Sequence, residues 1–284
     1  MTIDKRYQND AEVILSHRHD LGADYWTTPD KRLLKGSPFS SYDSALMLLE
    51  LGMDPKDPIL REVADLYFSA WREDGRFRLY PSGGIYPCHT ANAAHLLCSL
   101  GHANDERVQA TLRHLIDTQH TDGGWRCKKF SYGRGPETEY SNPMPTLTAL
   151  NVFRHTDYLN CEPALDRAVD FLLEHWTIKT PIGPCHYGIG TLFMQVGYPF
   201  HDYNIFQYVY VLSFYERAKK DSRFLEALAA LESKMADGQI IVERVVPKLA
   251  KLDFCRKDEP SELATKRYRE IKDNGDKHIV SPIK

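Results

Sequence analysis

Apolar positions recur at helical spacing along most of the chain, in segments of two alternating kinds. The first kind is amphipathic: 57–77 (DPILREVADLYFSAWREDGRF), 105–125 (DERVQATLRHLIDTQHTDGGW), 162–176 and 221–240. The first two align without gaps. Both end in Asp-Gly-x-aromatic, with Asp74 and Asp122 48 positions apart. Segment 11–26 reads as a degenerate earlier copy, giving a period of roughly 50 to 60 residues. The second kind is apolar on most faces: 42–52, 88–101, 144–153 and 203–218. Such helices are buried on more than one side. Loops rich in Gly, Pro and Tyr precede them. Pro38, Gly52, Pro87, Gly101, Pro143 and Pro199 punctuate the pattern where helices must stop or start.

No run of alternating period-two residues marks a strand. The expectation is therefore an all-α fold, an α/α toroid (barrel) of about four to five helical hairpins, inner helices buried and outer ones amphipathic. A linear solenoid is the alternative, although its helices are usually half exposed. The toroid is expected over 1–258. Segment 259–284 is expected to be a C-terminal helix and tail. The helix covers 259–274, with Ser261 as its N-cap, a solvated face and a loose end beyond it.

Composition narrows the class. The chain has 284 residues, 42% hydrophobic and 26% charged, which is globular. A net charge of −3 argues against a broad nucleic-acid footprint. The most apolar stretch, 205–215, is interrupted by Gln207 and too short to span a membrane. The first ten residues contain no apolar signal region, and six cysteines in a chain this long are no disulfide scaffold. A cytoplasmic protein with reduced thiols is expected.

QHTDGGW (119–125) resembles the glutamine–tryptophan repeat of squalene and hopene cyclases. WREDGRF (71–77) is similar, without the glutamine. HTANAAHLLCSLG followed by that motif is similar to repeats of the protein prenyltransferase β subunit. The resemblance covers roughly residues 40 to 240. It implies a toroid with a central cavity and an apolar or isoprenoid-like small molecule as partner. The Gln119 side chain is expected to bond backbone groups at the end of an outer helix, with Trp125 stacking to close the turn. The families' catalytic residues do not carry over. The chain has no Asp-x-Asp and no adjacent aspartates. Asp253-x-Cys255 has the spacing of the prenyltransferase zinc pair but falls after the last repeat. The stretch after Trp125 offers only Thr138, Glu139 and Tyr140.

Phosphate-loop, dinucleotide, nucleophile-elbow, HExxH and CxxC motifs are absent. One recurrence remains, Pro-Cys-His, in YPCHTAN (86–92) and GPCHYGIG (183–190). A toroid would bring both to one cavity rim, together with Cys127. The catalytic candidates are Cys88, His89, Cys185, His186, His201 and Asp43. The pocket candidates are Tyr42, Asn92, Glu139, Tyr140, Tyr203 and Phe206. Thiolate and imidazole donors suit zinc, so Cys88, Cys127, Cys185 and His186 form a candidate metal set. Lanthionine cyclases, with zinc on an α/α toroid, are an analogy of fold and ligand type. The other readings are a thiolate nucleophile at a helix N-terminus and buried structural cysteines. His201 and Asp202 could supply a general acid and its orienting carboxylate. Asp43 opens an inner helix, where a carboxylate favours the dipole. His95, His114 and His175 read as surface or packing residues. Three functions follow: an enzyme on an apolar small molecule, a non-catalytic binding or scaffold protein, or a carbohydrate-active enzyme using Asp43, Glu139 or Asp202.

Overall fold

The computed structural model describes residues 3–127 and 131–276. Its helices are α1 (Gln8–Ser16), α2 (Ser41–Glu50), α3 (Pro58–Ser69), α4 (Pro87–Ser99), α5 (Glu106–Asp117), α6 (Pro143–Phe153), α7 (Pro163–Ile178), α8 (Ile205–Leu212), α9 (Glu216–Lys219), α10 (Ser222–Glu232) and α11 (Glu262–Asp276). The amphipathic repeats become α3, α5, α7 and α10. Each begins at an acidic N-cap in the same place of its repeat. Asp57 accepts from the Ile59 N–H, Asp105 from Arg107, Glu162 from Ala164 and Asp221 from Arg223. These bonds satisfy donors that a helix start leaves orphaned, and proline opens α3 and α7, where no donor is needed.

The apolar segments become α2, α4, α6 and α8, which pack on one another in chain order. Every residue of α8 is buried, and α6 is buried at all positions but Met144. The outer helices lie against this layer through one face each; α5, for instance, buries Val108, Thr111, Leu112 and Leu115. A segment before α8 returns to α2, where the Tyr198 hydroxyl donates to Glu50 Oε2 at 3.1 Å. Helix α11 packs on α8, and its Arg267 also meets Glu50. The fold is thus predominantly helical, as expected. Among the described residues the only strands are two-residue pairs, Gly197–Tyr198 with Arg244–Val245 and Met235–Ala236 with Gln239–Ile240. No helix among them is long and apolar enough to cross a membrane.

The repeat motif works mechanically. Gln119 Nε2 donates to the carbonyls of Gly123 and Ala164, both at 2.6 Å, tying the end of α5 to the start of α7. Trp125 is 2% exposed, and its indole N–H donates to the Leu115 carbonyl at 2.8 Å. The Trp26 indole N–H likewise donates to a carbonyl of the preceding helix, that of Ile14, at 2.9 Å. Gly123 has φ +93°, and a Cβ there would stand 2.3 Å from the Arg167 carbonyl oxygen, so no other residue fits.

The fourth copy departs from expectation. Its helix stops at Glu232, and Asp237-Gly238 (φ 49° and 75°) forms a two-residue hairpin turn instead of ending the helix. Positive φ at both positions is what a type I′ turn requires. Ser261 caps α11 as expected, accepting from the Ala264 N–H at 3.1 Å. Ser261→Ala should cost about 1 kcal/mol, read as a lower urea midpoint at unchanged slope; an unchanged midpoint would remove the capping role. Gly275 and Asp276, expected in the loose tail, continue α11 instead; the rest of that tail lies outside the described residues.

Candidate functional site

The N-terminus of α2 builds the first part of the site. Ser40 caps the helix by accepting the Asp43 N–H, and its hydroxyl donates back to Asp43 Oδ2 at 2.7 Å. The other carboxylate oxygen, Oδ1, takes the His201 Nε2–H at 2.9 Å. His201 stands in the turn before α8, edge-on to the Tyr42 ring at 5.4 Å between centroids. Burial works against charge on His201, but the Asp43 carboxylate outweighs it and raises its pKa. Burial likewise opposes charge on Asp43, and the bonds from His201 and Ser40 overcome it, holding its pKa below the usual value. Asp202 moves the other way: burial raises its pKa, and the neighbouring Asp43 charge adds to the rise. Two carboxylates beside one imidazole therefore release their protons at different pH.

A second chain of polar groups crosses the inner helices. Arg154 Nε donates to Asn151 Oδ1 at 2.5 Å. That fixes the amide, so Asn151 Nδ2 donates to His95 Nε2 at 2.7 Å. His95 Nε2 is then an acceptor, its proton sits on Nδ1, and Nδ1 donates to the Tyr42 oxygen at 2.9 Å. Burial keeps His95 in this neutral form, with its pKa well below the usual value. Both groups border a cavity of about 200 Å³ that α2, α4, α6, α8 and α11 enclose. His95, Asn151, Arg154, His155, His201 and Gln207 line it, with Glu50, Arg267 and the rings of Tyr198, Phe200 and Tyr210.

The two Pro-Cys-His copies occupy different backbone settings. The first starts α4, with Pro87 at its first position. The second lies in a turn bridged by Ile182 and Tyr187, and the Cys185 N–H donates to Asn142 Oδ1, the α6 N-cap. A charge on Cys127 or Cys185 is felt at Cys88, and one on Cys127 at Cys185. Burial, more than these neighbours, pushes the Cys88 thiol up to about 12 and Cys185 to about 11. Neither is an activated thiolate at neutral pH. His186, at φ 54°, turns outwards to Glu137 at 3.3 Å. His89 lies against Tyr80 and Tyr86, and burial lowers its pKa to about 4. Among the described residues no group of three His, Cys, Asp or Glu is arranged to hold a metal ion. The set Cys88, Cys127, Cys185 and His186 is therefore not assembled as a centre, since His186 faces away. Asp253 is likewise paired with Arg256 on the surface, while Cys255 is fully buried.

The remaining pocket candidates scatter. Tyr42 joins the His95 chain, and Asn92 is half-buried on α4. Glu139 points to solvent with Arg126, and Tyr140 is 42% exposed. Tyr203 is bonded to His175 at 2.7 Å and stacked on it. Phe206 is fully buried against Phe200, 4.7 Å between centroids. Both belong to the packing and not to the cavity wall. Glu50, Asn151, Arg154, His155, Gln207 and Arg267 were not anticipated. Their signal was nonetheless present: each interrupts or ends an otherwise apolar segment, or sits on the inward stripe of α11.

Compared with known proteins, the chain matches no family model and has no significant similarity to a curated protein. The family resemblance rests on the repeat residues alone.

Proposed function

We propose that the chain is an enzyme that turns over a small molecule by acid–base chemistry at His201. We read its helical frame as an α/α toroid of four to five hairpins, of the prenyltransferase and terpene-cyclase kind. The observation that carries the catalytic reading is the His201–Asp43 bond of 2.9 Å at the edge of the cavity. Asp43 occupies Nε2–H, and Nδ1 has no hydrogen-bond partner among the described residues. A carboxylate holding one ring nitrogen presents the other to substrate. Its lone pair removes a proton, and the imidazolium returns one. Asp202, with its raised pKa, stands beside this pair as a further proton donor.

The cavity favours a polar substrate over the apolar one that the resemblance implies. An apolar molecule would desolvate Asn151, Arg154, Gln207 and Arg267 without bonding them, which is unfavourable. The paired-carboxylate alternative loses Glu139 to the surface and has Asp43 already bonded by Ser40 and His201.

The test is conversion of a cellular small-molecule pool, followed by mass spectrometry, with wild type and His201→Asn side by side. At least one compound should be consumed by wild type and about 100-fold or more slowly by the variant, with circular dichroism unchanged. Equal consumption by both would overturn the role of His201. A compound retained unchanged by both would instead identify a binding protein.

A further inference from the structure

The cavity holds more hydrogen-bond donors than the chain uses. Arg154 follows α6, and its guanidinium lies over the rings of Tyr210 and Phe214, at 5.3 and 5.1 Å from their centroids. Its Nε–H goes to Asn151. It forms no ion pair among the described residues, and both its terminal nitrogens are left without a bonded acceptor there. Arg267 lies over the same Tyr210 ring, at 5.4 Å. Its one ion-pair partner is Glu50 Oε1 at 3.1 Å, and that contact lacks hydrogen-bond geometry, since Oε1 counts among the buried atoms without a partner. The next carboxylate, Glu270, accepts from the Tyr210 hydroxyl at 2.7 Å and pairs with neither arginine.

Two guanidinium groups thus frame one end of the cavity with a single carboxylate in direct contact. Both guanidinium groups are partly withdrawn from water, and the planar fork of arginine matches carboxylate and phosphate oxygens. A second observation points to the same occupant. Gln207 is 4% exposed, lines the cavity, and its Oε1 has no donor. An acceptor left open beside two incompletely paired guanidinium groups fits a ligand that carries both an anionic group and a donor. A volume of about 200 Å³ is several times the ~30 Å³ share of a water molecule, so it admits a small molecule and not merely one ion.

We propose that this end of the cavity binds the oxyanionic head, carboxylate or phosphate, of a small molecule between Arg154 and Arg267, with a hydroxyl or amino group of that molecule donating to Gln207. The inference rests on the acid–base reading only in placing this head group in the cavity that His201 borders. The substrate class is then a small hydroxylated or aminated anion.

The experiment titrates the full chain with inorganic phosphate and with malonate by calorimetry at low salt. Wild type, Arg154→Gln, Arg154→Lys and His201→Asn are compared, and melting temperatures are recorded without ligand. Wild type should bind one of the two anions at a single site. Arg154→Gln should weaken that binding by about 10-fold or more without lowering the ligand-free melting temperature, and Arg154→Lys should recover part of it. His201→Asn is judged by turnover and not by anion affinity, so that loss of the catalytic reading leaves this result standing. Tighter phosphate binding identifies a phosphomonoester head; tighter malonate binding identifies a carboxylate. Absence of binding by wild type overturns the proposal. So does equal binding by Arg154→Gln with a lowered melting temperature, which would make Arg154 a structural cation on its two rings. Should Arg154→Gln not fold, the Arg154→Lys titration decides alone.

Discussion

Acidification from pH 6.5 to 5 should remove most of the folding stability. Four histidines are held neutral inside the fold. Burial takes the pKa of His155 to about 3, those of His89 and His175 to about 4, and that of His95 well below its usual value. In the unfolded chain each titrates near 6.5. Between the folded and unfolded values the unfolded state binds more protons, so stability falls as pH falls. At pH 5 each histidine contributes a loss of up to about 2 kcal/mol, and four together at most about 8. A domain's entire stability is about 5–15 kcal/mol. His201 has the opposite sign. Its raised pKa gives stability that is complete below pH 6.5 and lost as pH rises through the folded value, so it does not add to the acid loss. Asp43, lowered, keeps its contribution until pH falls past 3.8. The raised carboxyls of Asp10 and Asp202 offset part of the loss, because protonating them relieves their burial. Urea midpoints at pH 7 and pH 5 measure the balance. Equal midpoints would mean that the four imidazoles are reached by protons without unfolding. His155→Phe should shrink the difference, since it removes one of the four titrations and an unpartnered Nε2.

The helical order was legible because it depends on neighbours in sequence. Asp57, Asp105, Glu162 and Asp221 act within two residues, and Pro87 and Pro143 act on their own backbone. Trp26 and Trp125 each bond a carbonyl of the helix just before them, again a local contact. The site was less legible because its bonds join distant positions. His201 bonds Asp43 across 158 residues, and not its neighbour Asp202. The repeated tripeptide gave the wrong emphasis. Pro-Cys-His has the same letters twice, but Gly183 and the positive φ of His186 make the second copy a turn that sends its imidazole outwards. Arg154 is the polar residue that follows an apolar helix. Only the tertiary packing of Tyr210 and Phe214 against it draws its guanidinium to the cavity. Arg267 was hidden in the same way: α11 reads as a charged, solvated helix, yet Ala264 and Ile271 are buried and carry Arg267 inwards with them.

Trp125→Ala should cost about 3–5 kcal/mol of stability, the range for truncating a buried tryptophan, and should do so without touching the His201 site. Two losses combine. The first is the cavity left where the indole is now 2% exposed in the core. The second is a hydrogen bond. Leu115 lies in the last turn of α5, where carbonyls have no following helical N–H, and the Gln119 N–H goes to Ile116 instead. The indole N–H supplies the missing donor. Trp125→Phe separates the two losses: it keeps much of the ring volume but leaves the Leu115 carbonyl unpaired, at about 1–3 kcal/mol. The ordering expected in urea titration is therefore wild type, then Phe, then Ala, with the Ala variant about twice as far down as Phe. Anion binding at Arg154, measured on whatever fraction remains folded, should be unchanged. If Trp125→Ala melted like wild type, the indole would not be holding the repeat together. If it kept its stability and lost ligand, the tryptophan would belong to the site, and the motif would have been assigned to the wrong work.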